Sequence, residues 1–184
     1  MSIGGAAAHA HGAGEKHAHG EIAFTTWLDP QLAVQQASAI RDVFSYRWKE
    51  HAPTFEANCQ ALEKELRELD AQFEAAFSEI KNEPLIGSHP VYQYLTQRYG
   101  LNMKSVHWEP DALPDQTMER ELDDMLEAHP AKIMLWEGAP LPTIQLMVEK
   151  KGLQPRVFDP CGNRPAHGDY FTVMQENLQN LKTH

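Results

Sequence analysis

The sequence predicts an α/β protein: a four-stranded parallel sheet with helices on both faces, preceded by a long helical arm and a disordered, His-rich N-terminus. Three observations predict this. Short apolar runs alternate with helical patterns through the second half of the chain, a long uninterrupted helical stripe precedes them, and the first 23 residues hold almost nothing apolar enough to pack. Repeated strand–helix alternation is typical of parallel sheets with right-handed crossovers.

Composition narrows the class of protein. The chain has 184 residues, of which 42% are hydrophobic and 23% charged, as expected of one folded domain with an appendage. Lys and Arg number 16 against 26 Asp and Glu, so the formal net charge is −10. This charge disfavours binding to nucleic acid or to anionic membranes. Two isolated cysteines, Cys59 and Cys161, exclude both a disulfide scaffold and a Cys-rich zinc finger.

Residues 1–23 form a Gly/Ala/His segment that we expect to be flexible. It carries four histidines, at positions 9, 11, 17 and 19. Neutral imidazole is a common metal ligand, so His17, His19 and their neighbours predict loose capture of a divalent metal, with a plain linker as the alternative. A basic start followed by an apolar core is missing, so the segment does not read as a secretory signal.

Residues 24–83 are predicted to form a helical arm. Asp29-Pro30 is typical of a helix start. Ala33, Ala37, Ile40 and Phe44 then mark one apolar face. A second helix over 54–81 carries a longer stripe made of Phe55, Cys59, Leu62, Leu66, Leu69, Phe73, Phe77 and Ile80. It would span roughly 42 Å, which predicts packing against more than one body.

Residues 84–184 are predicted to form the α/β lobe. The four apolar runs predict strands, and Gly or Pro punctuates the helices between them. The predicted strands are 84–88, 103–108, 132–136 and 156–158, and the predicted helices are 90–99, 115–128, 141–151 and 168–182.

Each predicted strand delivers a His, Glu or Asp at its carboxyl end, where ligands bind in open α/β sheets. These residues are His89, His107, Glu109, Glu137 and Asp159. Imidazole and carboxylate without thiolate fit Zn²⁺ or Mn²⁺. We predict His89, Asp159, Glu137 and His107 as candidate ligands, while Glu109 is placed on the same rim without being selected as a ligand. The alternatives are helix capping for His89, Glu137 and Asp159, a buried hydrogen bond for Glu137, and a surface position for His107.

Signatures of other chemistry are missing. The sequence has no G-x-S-x-G elbow, no phosphate-binding loop, no dinucleotide fingerprint and no H-E-x-x-H motif. None of these catalytic sites is therefore expected. A metal-dependent hydrolase or chelatase-like enzyme that uses His89, Glu137 and Asp159 remains a rival interpretation.

Several of these segments together resemble one family. They are His17-Ala18-His19-Gly20, Thr26-Trp27-Leu28-Asp29-Pro30, His89-Pro90 with Tyr92 and Tyr94, Tyr99-Gly100-Leu101, and Asp159-Pro160 with Gly162. Their order and spacing resemble the later half of the TroA-like solute-binding proteins, the zinc and manganese receptors of ABC importers.

The resemblance implies two α/β lobes joined by a long helix, with one Zn²⁺ or Mn²⁺ in the cleft and delivery to a membrane permease. It implies His89 and Asp159 as ligands, a zinc-collecting His-rich loop and a periplasmic or extracytoplasmic location. The chain corresponds to the C-terminal part, so the remaining ligands would come from the N-terminal segment, another lobe or a second copy. Thr25 stands where the family usually has a ligand histidine.

The sequence therefore predicts divalent metal binding, zinc first, as the C-terminal lobe of an importer's binding protein. The alternative from a different class is an interaction or dimerisation module without specific metal binding, which would pair through an exposed apolar face of the arm.

Overall fold

The computed structural model describes residues 8–10, 16–18 and 23–182. Near the N-terminus, strands β1 (Ala8–Ala10) and β2 (Lys16–Ala18) pair antiparallel, with His9 opposite His17. His11 and His19 lie outside the described residues. The predicted flexibility of this segment stays a prediction.

The arm consists of two antiparallel helices, α1 (Pro30–Arg47) and α2 (Ala52–Ser78), joined by a short 3-10 turn. The carboxylate of Asp29 caps α1 by accepting from the backbone N–H groups of the first turn, as its sequence predicts. Side-chain hydrogen bonds help to fix the register of the two helices. In one of them the Ser38 hydroxyl donates to Oε1 of Glu63 at 2.9 Å.

The apolar stripe of α2 is confirmed, because its positions from Cys59 to Phe77 include five buried side chains. The apolar side predicted for α1 is only partly covered. Ile40 and Phe44 are exposed, although the ring of Phe44 contacts that of Phe55 on α2, and Pro30 and Val34 are the buried residues of this helix.

The second half of the chain forms the predicted α/β lobe. Its strands are β3 (Leu85–Gly87), β4 (Met103–Ser105), β5 (Ile133–Trp136) and β6 (Gln154–Val157). Its helices are α3 (Gln93–Tyr99), α4 (Gln116–Ala128), α5 (Pro142–Lys150) and α6 (Tyr170–Lys182). All strand pairs are parallel, in the order β4-β3-β5-β6. The predicted fold class is confirmed.

Two cores show that helices cover both faces of this sheet. On one face α2, α3 and α6 pack around Phe73, Phe77 and Phe158. On the other face α4 and α5 pack around Trp108 and Trp136. From Leu69 onwards α2 thus contributes to the core of the lobe, and α2 also packs along α1. None of the helices in the described part of the chain has the length and apolarity to cross a membrane.

Asp70 on α2 ties the arm to the lobe. Its carboxylate accepts from Arg98 Nε at 3.0 Å and Nη2 at 2.6 Å, and from the Tyr99 hydroxyl at 3.0 Å. Burial, with the nearby Asp70 charge and hydrogen bond, raises the pKa of Tyr99, so this hydroxyl stays a donor. The side chains of Asp70 and Arg98 are mostly buried.

Replacing Asp70 with alanine is expected to lower the free energy of unfolding by about 2 kcal/mol, because hydrogen bonds to charged groups are lost and the Arg98 guanidinium keeps only the more distant carboxylates of Asp29 and Glu74. Urea denaturation measures the change. Lys64→Ala is the control, since its ion pair with Glu68 is exposed and is expected to contribute under about 0.5 kcal/mol. Equal losses in both variants would contradict the prediction.

Candidate metal site

Three side chains at the carboxyl edge of the sheet converge within metal-binding distance. His89, Glu109 and Glu137 each offer a ligand atom, and these atoms all lie within 4.8 Å of one another. The Nδ1 atom of His89 is 3.8 Å from Oε1 of Glu109. This group forms the candidate metal site within the described residues.

The strand register brings the three together. Hydrogen bonding continues past the strand ends, from Ser88 N to Leu135 O at 2.8 Å and from Trp108 N to Ser88 O at 2.7 Å. The pairing of Gly87 with Leu135 places residue 137 beside residue 89, and the bond from Trp108 N, one residue out of the β3–β4 register, brings residue 109 alongside them. The residue before each one is buried, and the rings of Trp108 and Trp136 meet on the α4–α5 face. Because successive side chains in extended chain alternate, the ligand atoms point away from that core.

The site lies where the strand order reverses. From β3 the chain moves outward to β4, then returns to the other side of β3 to form β5. Doubly wound sheets bind ligands in the crevice at this switch point. His89 directly follows β3, the strand that lies between β4 and β5 at the switch point.

Charge and burial both favour a cation here. The side chains of His89 and Glu109 are 14% and 30% exposed, so the site is partly withdrawn from water yet open to an ion. With neutral imidazole the group carries two negative charges. Two ligands at 2.0–2.1 Å from tetrahedral zinc are about 3.3 Å apart, so small rotations would bring the observed 3.8 Å into range.

Asp159 lies on the same edge but outside this group. It follows β6, which neighbours β5 and not β3, and two strand spacings amount to roughly 10 Å. Its carboxylate accepts from the backbone N–H of Cys161 at 2.7 Å. The side-chain amide of Asn177 accepts from the backbone N–H of Asp159 and donates to its backbone carbonyl oxygen. Burial and the charges of Glu137 and Asp159 raise the pKa of Tyr92. The assignment of Asp159 as a ligand stays a prediction.

Helix capping, the alternative for three of the candidates, is wrong. His89, Glu137 and Asp159 all precede helices, but those helices begin further along the chain, at Gln93, Pro142 and Tyr170. Tyr92 and Leu141 occupy the N-cap positions of α3 and α5. The helix after His89 begins three residues later than predicted, at Gln93 and not at 90.

The remaining candidates surround the site or lie apart from it. The ring of His107 is 5.4 Å from that of His89, edge to face, but His107 is not one of the three converging residues. Thr25 is buried, and its hydroxyl donates to Val91 O at 2.5 Å. The backbone of His17 lies in β2, but its side chain, like all of His19, lies outside the described residues.

The sequence places Glu109 on the predicted rim, but Glu109 is not among the candidate ligands. The signal was present, because Glu109 follows a short apolar run as Glu137 does. Its importance depends on β4 lying directly beside β3.

Comparison with known proteins identifies the family of this chain. The family model for periplasmic zinc-uptake complex component A, ZnuA, matches residues 2–184. The zinc-binding protein AdcA of Streptococcus pyogenes is 29% identical over 163 residues, which is 85% of this chain and 32% of the relative. The high-affinity zinc uptake system protein ZnuA of Brucella abortus is 28% identical over 164 residues, 88% of this chain and 49% of the relative.

Solved structures of related proteins share the fold of this chain. The Zn(II)-bound ZnuA-like domain of Streptococcus pneumoniae AdcA superposes with a TM-score of 0.76 at 25% identity, over 86% of this chain and 62% of that one. Zn(II)-bound AdcA from the same organism gives 0.78 at 26% identity, over 89% of this chain and 37% of that one. The chain thus spans a third to a half of the length of these curated relatives.

The resemblance drawn from the sequence is confirmed, and the chain belongs to the ZnuA family of periplasmic zinc-uptake components.

Proposed function

We propose that this chain binds Zn²⁺ through His89, Glu109 and Glu137, as part of the solute-binding component of a zinc importer. The convergence of one imidazole and two carboxylates within 4.8 Å carries the proposal. Its relatives are named as zinc-binding and zinc uptake proteins, which supports the choice of metal. Delivery to an ABC permease outside the cytoplasm is the role that fits such a component.

The donor set also suits Mn²⁺, since carboxylates prefer harder cations. Zinc is the expected cargo because a mixed N/O site holds it more tightly than manganese in the usual affinity order of divalent metals. Three protein ligands leave a fourth position on a tetrahedral ion. In a binding protein a group from outside the three residues fills that position and closes the site, so no turnover is expected.

Zinc titration by calorimetry on the full chain tests the proposal. We expect one-to-one binding that persists when the four histidines at positions 9, 11, 17 and 19 become alanine, and that is lost in His89→Ala. His51→Ala is the matched control, because this histidine lies exposed on the arm.

Two outcomes would contradict the proposal. Binding that disappears with the four N-terminal histidines would identify a simple chelating segment. Absence of binding in the unaltered chain would leave the α/β lobe without a metal function.

A further inference from the structure

The segment just before α1 lies against the lobe and joins the loops that follow two of its strands. The hydroxyl of Thr25 donates to the backbone oxygen of Val91 at 2.5 Å, in the loop after β3. The indole Nε1 of Trp27 donates to the backbone oxygen of Pro160 at 2.7 Å, in the loop after β6. We call residues 25–28 the strap.

The strap is firmly seated on the lobe. Thr25 and Leu28 are 2% and 1% exposed, and Leu28 belongs to the core that α2, α3 and α6 form. The hydroxyl of Tyr170 on α6 donates to the backbone oxygen of Trp27 at 2.8 Å. Hydrogen bonds to both loops and to α6, together with burial, therefore hold the strap in one position.

The turn that begins at His89 is held at three successive carbonyl oxygens. The oxygen of His89 accepts from the backbone N–H of Val91 at 2.9 Å, and that of Pro90 accepts from the side-chain amide of Gln93. The oxygen of Val91 accepts from the Thr25 hydroxyl. The first two bonds are local, whereas the third comes from a residue 66 positions away.

This turn determines where the imidazole of His89 lies, because the side chain starts from a Cα atom inside it. Ligands that are in place before the ion arrives lose less conformational entropy when it binds. Residues that orient a metal ligand from behind typically contribute about 10–100-fold to metal affinity. The Thr25 hydroxyl is directed at a backbone oxygen, so its effect on the metal is exerted through the His89 turn.

We propose that Thr25 is a positioning residue for His89, and that docking of the strap and binding of zinc favour each other. The proposal rests on the zinc site proposed above. Coupling between two equilibria is reciprocal. If the docked strap raises zinc affinity by some factor, bound zinc stabilises the docked strap by the same factor.

Thr25→Val tests the proposal, because valine keeps the branched shape of threonine and lacks the hydroxyl. We expect zinc affinity of the full chain, measured by competition against a fluorescent chelator, to fall at least about tenfold. Thr25→Ser restores the hydroxyl and is expected to bind zinc within about threefold of the unaltered chain. Circular dichroism in EDTA confirms that each variant is folded.

Thr96→Val is the matched control. Thr96 is half-buried on α3, and its hydroxyl faces the sulfur of Met103 at 3.6 Å, at the amino end of β4 and away from the metal site. The same chemical change at this position is expected to leave zinc affinity unaltered.

Hydrogen exchange of the unaltered chain with and without zinc gives a second measurement, which does not depend on the folding of a variant. Zinc is expected to slow exchange in the peptide that covers residues 25–28 more than in α5, which lies on the other face of the sheet. Equal slowing in the two segments would contradict the coupling.

The outcomes separate this inference from the zinc site itself. Unchanged zinc affinity in Thr25→Val would overturn the role of Thr25 and leave the site intact. Equal losses in Thr25→Val and Thr96→Val, or a loss that Thr25→Ser does not restore, would also overturn it. An unaltered chain that does not bind zinc, or zinc binding that survives in His89→Ala, would overturn the site and this inference together.

Discussion

Replacing Glu109 and Glu137 together with glutamine is expected to lower zinc affinity at least about hundredfold, since each carboxylate contributes charge and a coordinate bond. The amide keeps the size of the side chain, so the change isolates the charge. The three ligand atoms converge within 4.8 Å, which makes both carboxylates direct ligands in the proposed site. Competition against a fluorescent zinc chelator measures the affinity.

Asp159→Asn is the informative comparison for this experiment. Asp159 lies outside the converging group and its carboxylate already accepts a backbone hydrogen bond from Cys161. We expect its replacement to change zinc affinity by less than about tenfold, a difference under about 1.4 kcal/mol. If Asp159→Asn instead lowers zinc affinity at least about hundredfold while the double Glu variant leaves it unchanged, the ion is held by His89 and Asp159, as the family resemblance implies.

Replacing Phe73 with alanine is expected to lower the free energy of unfolding by about 4 kcal/mol, because a large ring is lost from a closed core. Phe73 is buried and its ring lies 5.7–5.9 Å from the rings of Phe77, Tyr99 and Phe158. It thereby joins the arm helix to α3 and to the end of β6. A loss of this size is a large part of the 5–15 kcal/mol that stabilises a typical domain.

Phe24→Ala is the matched control for Phe73→Ala in urea denaturation. Phe24 is exposed and contacts Trp27 only at a centroid distance of 6.3 Å. Its removal is expected to cost less than about 1 kcal/mol. Similar losses for the two phenylalanines would show that the aromatic cluster is not the link between arm and lobe.

The sequence determined the elements of this protein, because their signals are local. The cap at Asp29 and the stripe from Cys59 to Phe77 predicted the arm helices. Four apolar runs predicted the parallel sheet, and the polar residues after them predicted one edge as the place for a metal. The family resemblance rests on the same local segments.

Only the tertiary structure decided which of those polar residues meet. Strand order is a long-range property, and here β3 lies between β4 and β5 while β6 is at the edge. His89 therefore gains Glu109 and Glu137 as neighbours, and Asp159 stands two strands away. The exposure of Ile40 and Phe44 on α1 is likewise a tertiary property. Periodicity marks the apolar side of a helix but does not show whether another element covers that side.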